Sequence, residues 1–114
     1  SRRASVVSSH VKRLIDERYQ EPLTLDQLAE AAHVSKYYLS HAFTEDYGIS
    51  PINYLIARRI EESRSLLKTT DYSISQVAGF TGFSSQSYFS QSFRKLTGMT
   101  PGEYRRQTKK AEQT

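Results

Sequence analysis

Apolar residues along this chain recur at helical spacing, in bursts that Gly, Pro and small polar residues interrupt at regular points. Val7, Val11, Leu14 and Ile15 share one helical face and predict a helix over residues 6–19. Thr24 followed by Gln27 is a capping-box pattern, in which the hydroxyl accepts from the third backbone N–H and the glutamine reaches back. It predicts a helix over residues 25–32. "HVS" then turns the chain, with Ser35 as the N-cap of a helix that runs to Tyr47 and stops at Gly48. Ser50-Pro51 pairs an N-cap with proline at the first helical position, so a long helix follows over residues 51–68. Ser73 and Gln76 repeat the box, "TGFSS" repeats the turn, and a helix over residues 86–97 ends at Gly98. Thr100-Pro101, with Glu103 completing a box, opens a last, short helix. That makes seven helices, and no useful length alternates as a strand does. The fold class is all-α.

The pattern is internally repeated. Residues 25–55 fall on residues 74–105: Gln27 meets Gln76, Ala29 meets Ala78 and Ser35 meets Ser84 at an offset of 49. After one extra residue the offset becomes 50, and Tyr38, Phe43, Gly48, Pro51 and Tyr54 meet Tyr88, Phe93, Gly98, Pro101 and Tyr104. Two copies are too few for a solenoid, so a tandem pair of small units is expected. Each unit is helix, tight turn, helix, with a small Ala inside the first helix that lets the second pack close across it. That is the arrangement of helix-turn-helix DNA readers, and equally of any αα-hairpin.

At about 100° per residue, Leu39, Ala42, Phe43 and Asp46 cluster on one side of the first unit's second helix, as do Phe89, Ser92, Phe93 and Leu96 in the second. These are the expected core positions. Opposite them lie Tyr37, Ser40, His41 and Thr44, and in the second unit Ser87, Ser90, Gln91 and Arg94, with Lys36 and Gln86 at the N-terminal rims. Base edges in the major groove are fixed donors and acceptors, and Gln can pair bidentately with adenine. Carboxylates would be repelled by nearby phosphates. The Ser/Gln face over residues 82–93, free of acid, suits groove insertion. Glu45 and Asp46 lie late in the first unit's helix, away from the end that usually enters the groove.

Charge changes this picture in one respect. The net charge of +4 tilts toward an anionic partner, but the first unit itself is acidic: between Thr24 and Tyr54, Lys36 stands against Asp26, Glu30, Glu45 and Asp46. The cations sit before, between and after the units, at Arg2, Arg3, Lys12 and Arg13, at Arg58, Arg59, Arg64 and Lys68, and at Arg105, Arg106, Lys109 and Lys110.

Other chemistry finds no support. No apolar run approaches the roughly 18 residues of a membrane span, and no apolar stretch follows the basic start as in a signal peptide. There is no cysteine, which suits a reducing cytoplasm and leaves no thiolate metal site. His10, His33 and His41 have no metal-ligand spacing, Gly residues form no phosphate loop, and no Ser has a nucleophile context. An enzyme, a metal and a cofactor are not expected. A helical protein-interaction module without base readout is the alternative, and salt separates the two, because DNA binding weakens steeply as salt rises.

The run from Ser50 to Arg105, above all "ISQVAGFTGFSSQSYFSQSFRKLTGMTPGEYR", resembles the DNA-binding domain of the AraC/XylS family of bacterial transcription regulators. The first unit resembles it more loosely. The resemblance implies one DNA-binding domain over residues 1–114, with helix-turn-helix lobes at residues 6–49 and 72–108 and a joining helix at residues 51–68. It implies that an asymmetric double-stranded promoter site is bound in two successive major grooves, and that transcription is controlled through contact with RNA polymerase. A joining helix of about 18 residues spans about 27 Å, comparable to one turn of B-DNA, so an isolated domain is expected to bind as a monomer. Family members often carry a separate effector-sensing or dimerising domain ahead of this one, so the chain is expected to be either an excised domain or a short regulator.

The family's base-contacting positions fall here on Tyr37, Ser40 and His41 and on Gln86, Ser87 and Gln91; Thr44 and Ser90 share those faces. Many members place Arg where this chain has His41 and Gln91, and its absence counts against guanine preference and tight binding. Phosphate contacts are expected of Ser35, Lys36, Ser84, Ser85, Arg94 and Lys95.

Overall fold

A computed structural model describes residues 2–112. Among them are seven helices and no strand: α1 (Arg2–Arg18), α2 (Leu25–Ala31), α3 (Lys36–Tyr47), α4 (Pro51–Thr69), α5 (Ile74–Phe80), α6 (Gln86–Thr97) and α7 (Pro101–Glu112). The all-α class and both helix-turn-helix arrangements therefore stand. Two elements are longer than expected. α1 begins at Arg2 rather than near Val6, because nothing between Arg2 and Ser5 breaks a helix. α7 runs for 12 residues, longer than the short helix expected. Its length has a tertiary cause: Arg105 and Lys109, one turn apart, both bind back. Arg105 Nε donates to the Leu67 carbonyl at 3.1 Å and a terminal nitrogen donates to that of Thr70 at 3.4 Å, satisfying free carbonyls at the end of α4. Lys109 Nζ lies 2.7 Å from Asp71, and this bond holds the Asp71 carboxyl below its usual range.

The contacts divide the chain into two compact units, the division falling inside α4 between Arg58 and Arg59. In the first unit, Val7, Val11 and Ile15 of α1 pack with Leu28 and Ala29 of α2, Leu39 and Phe43 of α3, and Leu55 of α4. Phe43 meets Tyr47 and Tyr54 edge-on, with ring centroids 4.8 and 5.8 Å away. In the second unit a chain of rings does the same work: Phe83 to Phe89 at 5.2 Å, Phe89 to Phe93 at 5.8 Å, and Phe93 to Tyr104 at 5.4 Å. Val77 and Ala78 of α5 are buried in the same unit.

The repeat reaches further than the sequence pattern showed. The buried set of α1 is Val7, Ser8, Val11 and Ile15. Fifty-two residues on, the second half of α4 buries Arg59, Ile60, Ser63 and Leu67. α4 thus closes the first unit with Pro51 and Leu55 and opens the second as α1 opens the first. Arg59 replaces a valine in that series. Its guanidinium lies over the Phe83 ring at 5.7 Å, and burial pulls its pKa below the usual value.

A polar clasp ties α1 to the start of α4. The Tyr54 hydroxyl donates to Asp16 Oδ1 at 2.6 Å, Lys12 reaches the other oxygen at 3.4 Å, and Arg58 stands 3.8 Å away with its guanidinium over the Tyr19 ring. Burial, then the bond to Asp16, raises the Tyr54 phenol; the charges of Tyr54 and Asp16 raise Lys12. The folded state favours the protonated form of both groups, so this contribution is complete below about pH 10 and is lost as pH climbs through the raised values.

Phe93→Ala should cost about 3–5 kcal/mol, seen as a lower melting temperature, because it opens a cavity between the Phe89 and Tyr104 rings. Tyr54→Phe should cost about 1 kcal/mol near neutral pH. Its gap from wild type in urea unfolding should shrink above about pH 10; a gap constant to high pH would separate the phenol from the clasp.

Candidate nucleic-acid interface

Two local devices set the entry of each second helix. The first is the turn. Val34 N–H donates to the Ala29 carbonyl at 3.1 Å, and Phe83 N–H donates to that of Ala78 at 3.0 Å. Each turn needs a left-handed residue: Gly82 supplies it at φ 96°, whereas His33 adopts φ 57° despite its side chain. The second device is the cap. Ser35 Oγ accepts from Tyr38 N–H and Ser85 Oγ from Tyr88 N–H, both at 3.1 Å. The structural partner of Ser35 is therefore Ser85, not Ser84 as the sequence match has it. Ser84 is the extra residue, lying between the turn and the cap.

The core stripe then fixes the rotation of each helix. Leu39, Ala42 and Phe43 are buried, as are Phe89, Ser92 and Phe93. Asp46 and Leu96, expected on the same stripe, are exposed, Leu96 at 49%. The core ends one turn before the helix does, and a carboxylate there stays in water because burying it unpaired is costly.

The opposite faces emerge as expected. Tyr37 is 77% exposed, His41 and Thr44 are exposed and Ser40 is half-buried. Gln86, Ser87 and Gln91 are exposed and Ser90 is half-buried. The rim residues Ser35, Lys36, Ser84, Ser85, Arg94 and Lys95 are exposed as well. Every candidate lies at the surface of its own unit, at the N-terminal end or on the outward face of α3 or α6.

Their electrostatics differ between units. In the first, Lys36 Nζ stands 3.9 Å from Asp26 and 5.5 Å from the centre of the Tyr37 ring. His41 Nε2 is 3.4 Å from Glu45 Oε2, so Glu45 is not clear of the outward face but one turn along it. In the second, Arg94 and Lys95 meet no carboxylate among the described residues, and the stretch from Ser73 to Thr97 contains none. Reading the sequence named Asp26 and Glu45 as acids but missed their pairing with Lys36 and His41. The spacing of His41 and Glu45 by four was a usable signal; the approach of Asp26 to Lys36 across the turn was not. Among the described residues no cluster of His, Asp and Glu could hold a metal, and no helix is long and apolar enough to cross a membrane.

The family model described as a helix-turn-helix domain matches residues 28–107. An AraC-type transcriptional regulator structure from Chromobacterium violaceum superposes with a TM-score of 0.81 at 30% identity, covering 95% of this chain and 96% of that one. This chain belongs to the AraC/XylS family. The DNA-binding domain of AdpA, a global transcriptional factor solved in complex with a target DNA, superposes with a TM-score of 0.82 at 32% identity over 86% of this chain and 88% of that one. The HTH-type transcriptional regulator YijO of Escherichia coli is 39% identical over 105 residues, which is 92% of this chain and 37% of that protein. The chain spans about a third of the length of YijO and of a second curated relative, the HTH-type transcriptional regulator YdiP of Escherichia coli. As an AraC/XylS-type domain it is a DNA-binding module of transcription regulators, not an enzyme.

Ser85→Ala should cost about 1 kcal/mol of stability by freeing the Tyr88 N–H at the start of α6. Amide exchange should quicken in that first turn and not in α3.

Proposed function

We infer that this AraC/XylS domain binds double-stranded promoter DNA sequence-specifically, as a monomer, with α3 and α6 in successive major grooves. The observation that carries the reading is the outward face of α6: neutral hydrogen-bonding side chains along its first two turns, two cations after them that meet no carboxylate among the described residues, and no acid within the helix. Such a face meets fixed donors and acceptors without repelling phosphate. Gln86, Ser87, Ser90 and Gln91 read bases from α6, with the Gln91 amide matched to adenine. Tyr37, Ser40, His41 and Thr44 read them from α3. Lys36, Arg94 and Lys95 contact phosphates, as do Ser84 and the capping hydroxyls of Ser35 and Ser85, which accept from the backbone and keep a hydrogen to donate. Regulation through contact with RNA polymerase, and partnership with an effector-sensing or dimerising domain, follow from the family resemblance. The greater length of the curated relatives supports the second.

Gln91→Ala should cost about 1–3 kcal/mol on a site selected from random duplexes and relax the choice of base at one position. Equal loss on random DNA would make Gln91 a backbone contact. Binding by the wild type that ignores salt would favour the protein-interaction reading instead.

A further inference from the structure

The two outward faces occupy equivalent places in equivalent units, yet they carry opposite charge. At a spacing of 50, Thr44 and Glu45 of α3 stand where α6 has Arg94 and Lys95. The one cation on α3, Lys36, has Asp26 as its neighbour at 3.9 Å, and His41 has Glu45 at 3.4 Å. In α5 the residue corresponding to Asp26 is Ser75, and α6 opens with the neutral Gln86. Both acids are well exposed, so neither serves a core.

We propose that the two units divide the work on DNA: α6 supplies the salt-sensitive grip on phosphate through Arg94 and Lys95, whereas Asp26 and Glu45 restrain α3, so that it adds affinity only where the base edges suit it. The proposal rests on the reading of α3 and α6 as groove-facing helices. Its physical content is a balance of charge. A phosphate approaching α3 meets Asp26 and Glu45 as well as Lys36, and the cation must leave Asp26 to reach it. An exposed pair of this kind is weak, so the restraint is modest and can be overcome by good base contacts. Its effect is to lower binding to unselected DNA more than binding to the right site, which raises discrimination. Asp26 is in this sense a positioning residue for Lys36, and Glu45 a specificity-determining one.

The test is titration of this chain against a selected duplex and a random duplex over a range of salt. Asp26→Asn should tighten random binding about twofold to fivefold and steepen the salt slope by about 1. Asp26→Glu, which keeps the charge, should behave as the wild type. Glu45→Gln should likewise gain on random DNA and lose discrimination. Lys36→Ala should reduce the slope by clearly less than Arg94→Ala does in the wild type, and by about as much in the Asp26→Asn background. Circular dichroism confirms that each variant is folded. If Asp26→Asn and Glu45→Gln leave both affinities and the slope unchanged while Gln91→Ala remains site-selective, the division of labour is wrong and the DNA reading survives. If the wild type shows no salt-dependent binding, the DNA reading falls and this inference falls with it.

Discussion

Each unit depends on one buried phenyl ring in its second helix, Phe43 or Phe93. Both rings are fully buried and stacked edge-on against neighbouring aromatics. A helix with one deep anchor, flanked one turn earlier by Leu39 or Phe89, has little freedom to rotate about its axis. Its outward face is then decided as firmly as its core. The outward polar side chains need no packing of their own, because the stripe behind them sets where they point. The caps at Ser35 and Ser85 complete the constraint by fixing where each helix starts.

The same logic explains the use of α4. It has no Gly or Pro after Pro51, and its two halves bury different stripes: Pro51 and Leu55 in the first unit, Arg59, Ile60, Ser63 and Leu67 in the second. A helix that serves as the last element of one unit and the first of the next removes the need for a separate opening helix between them. The cost of ending it is met by Arg105, whose guanidinium takes carbonyls left free at its C-terminus and lies favourably with respect to the helix dipole.

Charge separates the units more than shape does. Their caps and the backbone bond that closes each turn correspond, with Ser84 as one extra residue in the second. Acids gather on the first face and are absent from the second. Since phosphate contacts dominate affinity and base contacts dominate choice, faces of unlike charge suit unlike tasks. A duplicated scaffold therefore permits divergence at exposed positions without disturbing either core.

How much of this was legible in the sequence depends on range. Capping boxes at Thr24 and Ser73, proline starts at Pro51 and Pro101, and stops at Gly48 and Gly98 are contacts within a few residues, so their residue types declare them, and seven helices followed. The faces of α3 and α6 were legible for the same reason: a period of 3.6 residues places Phe43 and Phe93 opposite His41 and Gln91. The resemblance of the second unit to a known family added the functional expectation. Where local rules run out, only the tertiary structure decided. It set the end of the core stripe before Asp46 and Leu96, the match of Ser35 with Ser85 in place of Ser84, and the full length of α7. It buried Arg59 on the inward stripe of α4 and brought Asp26 to Lys36 across a turn. Each of these depends on which other element lies opposite a residue, or on how the chain returns after a turn. Burial and charge pairing are properties of that neighbourhood, and no run of residues read along the chain contains it.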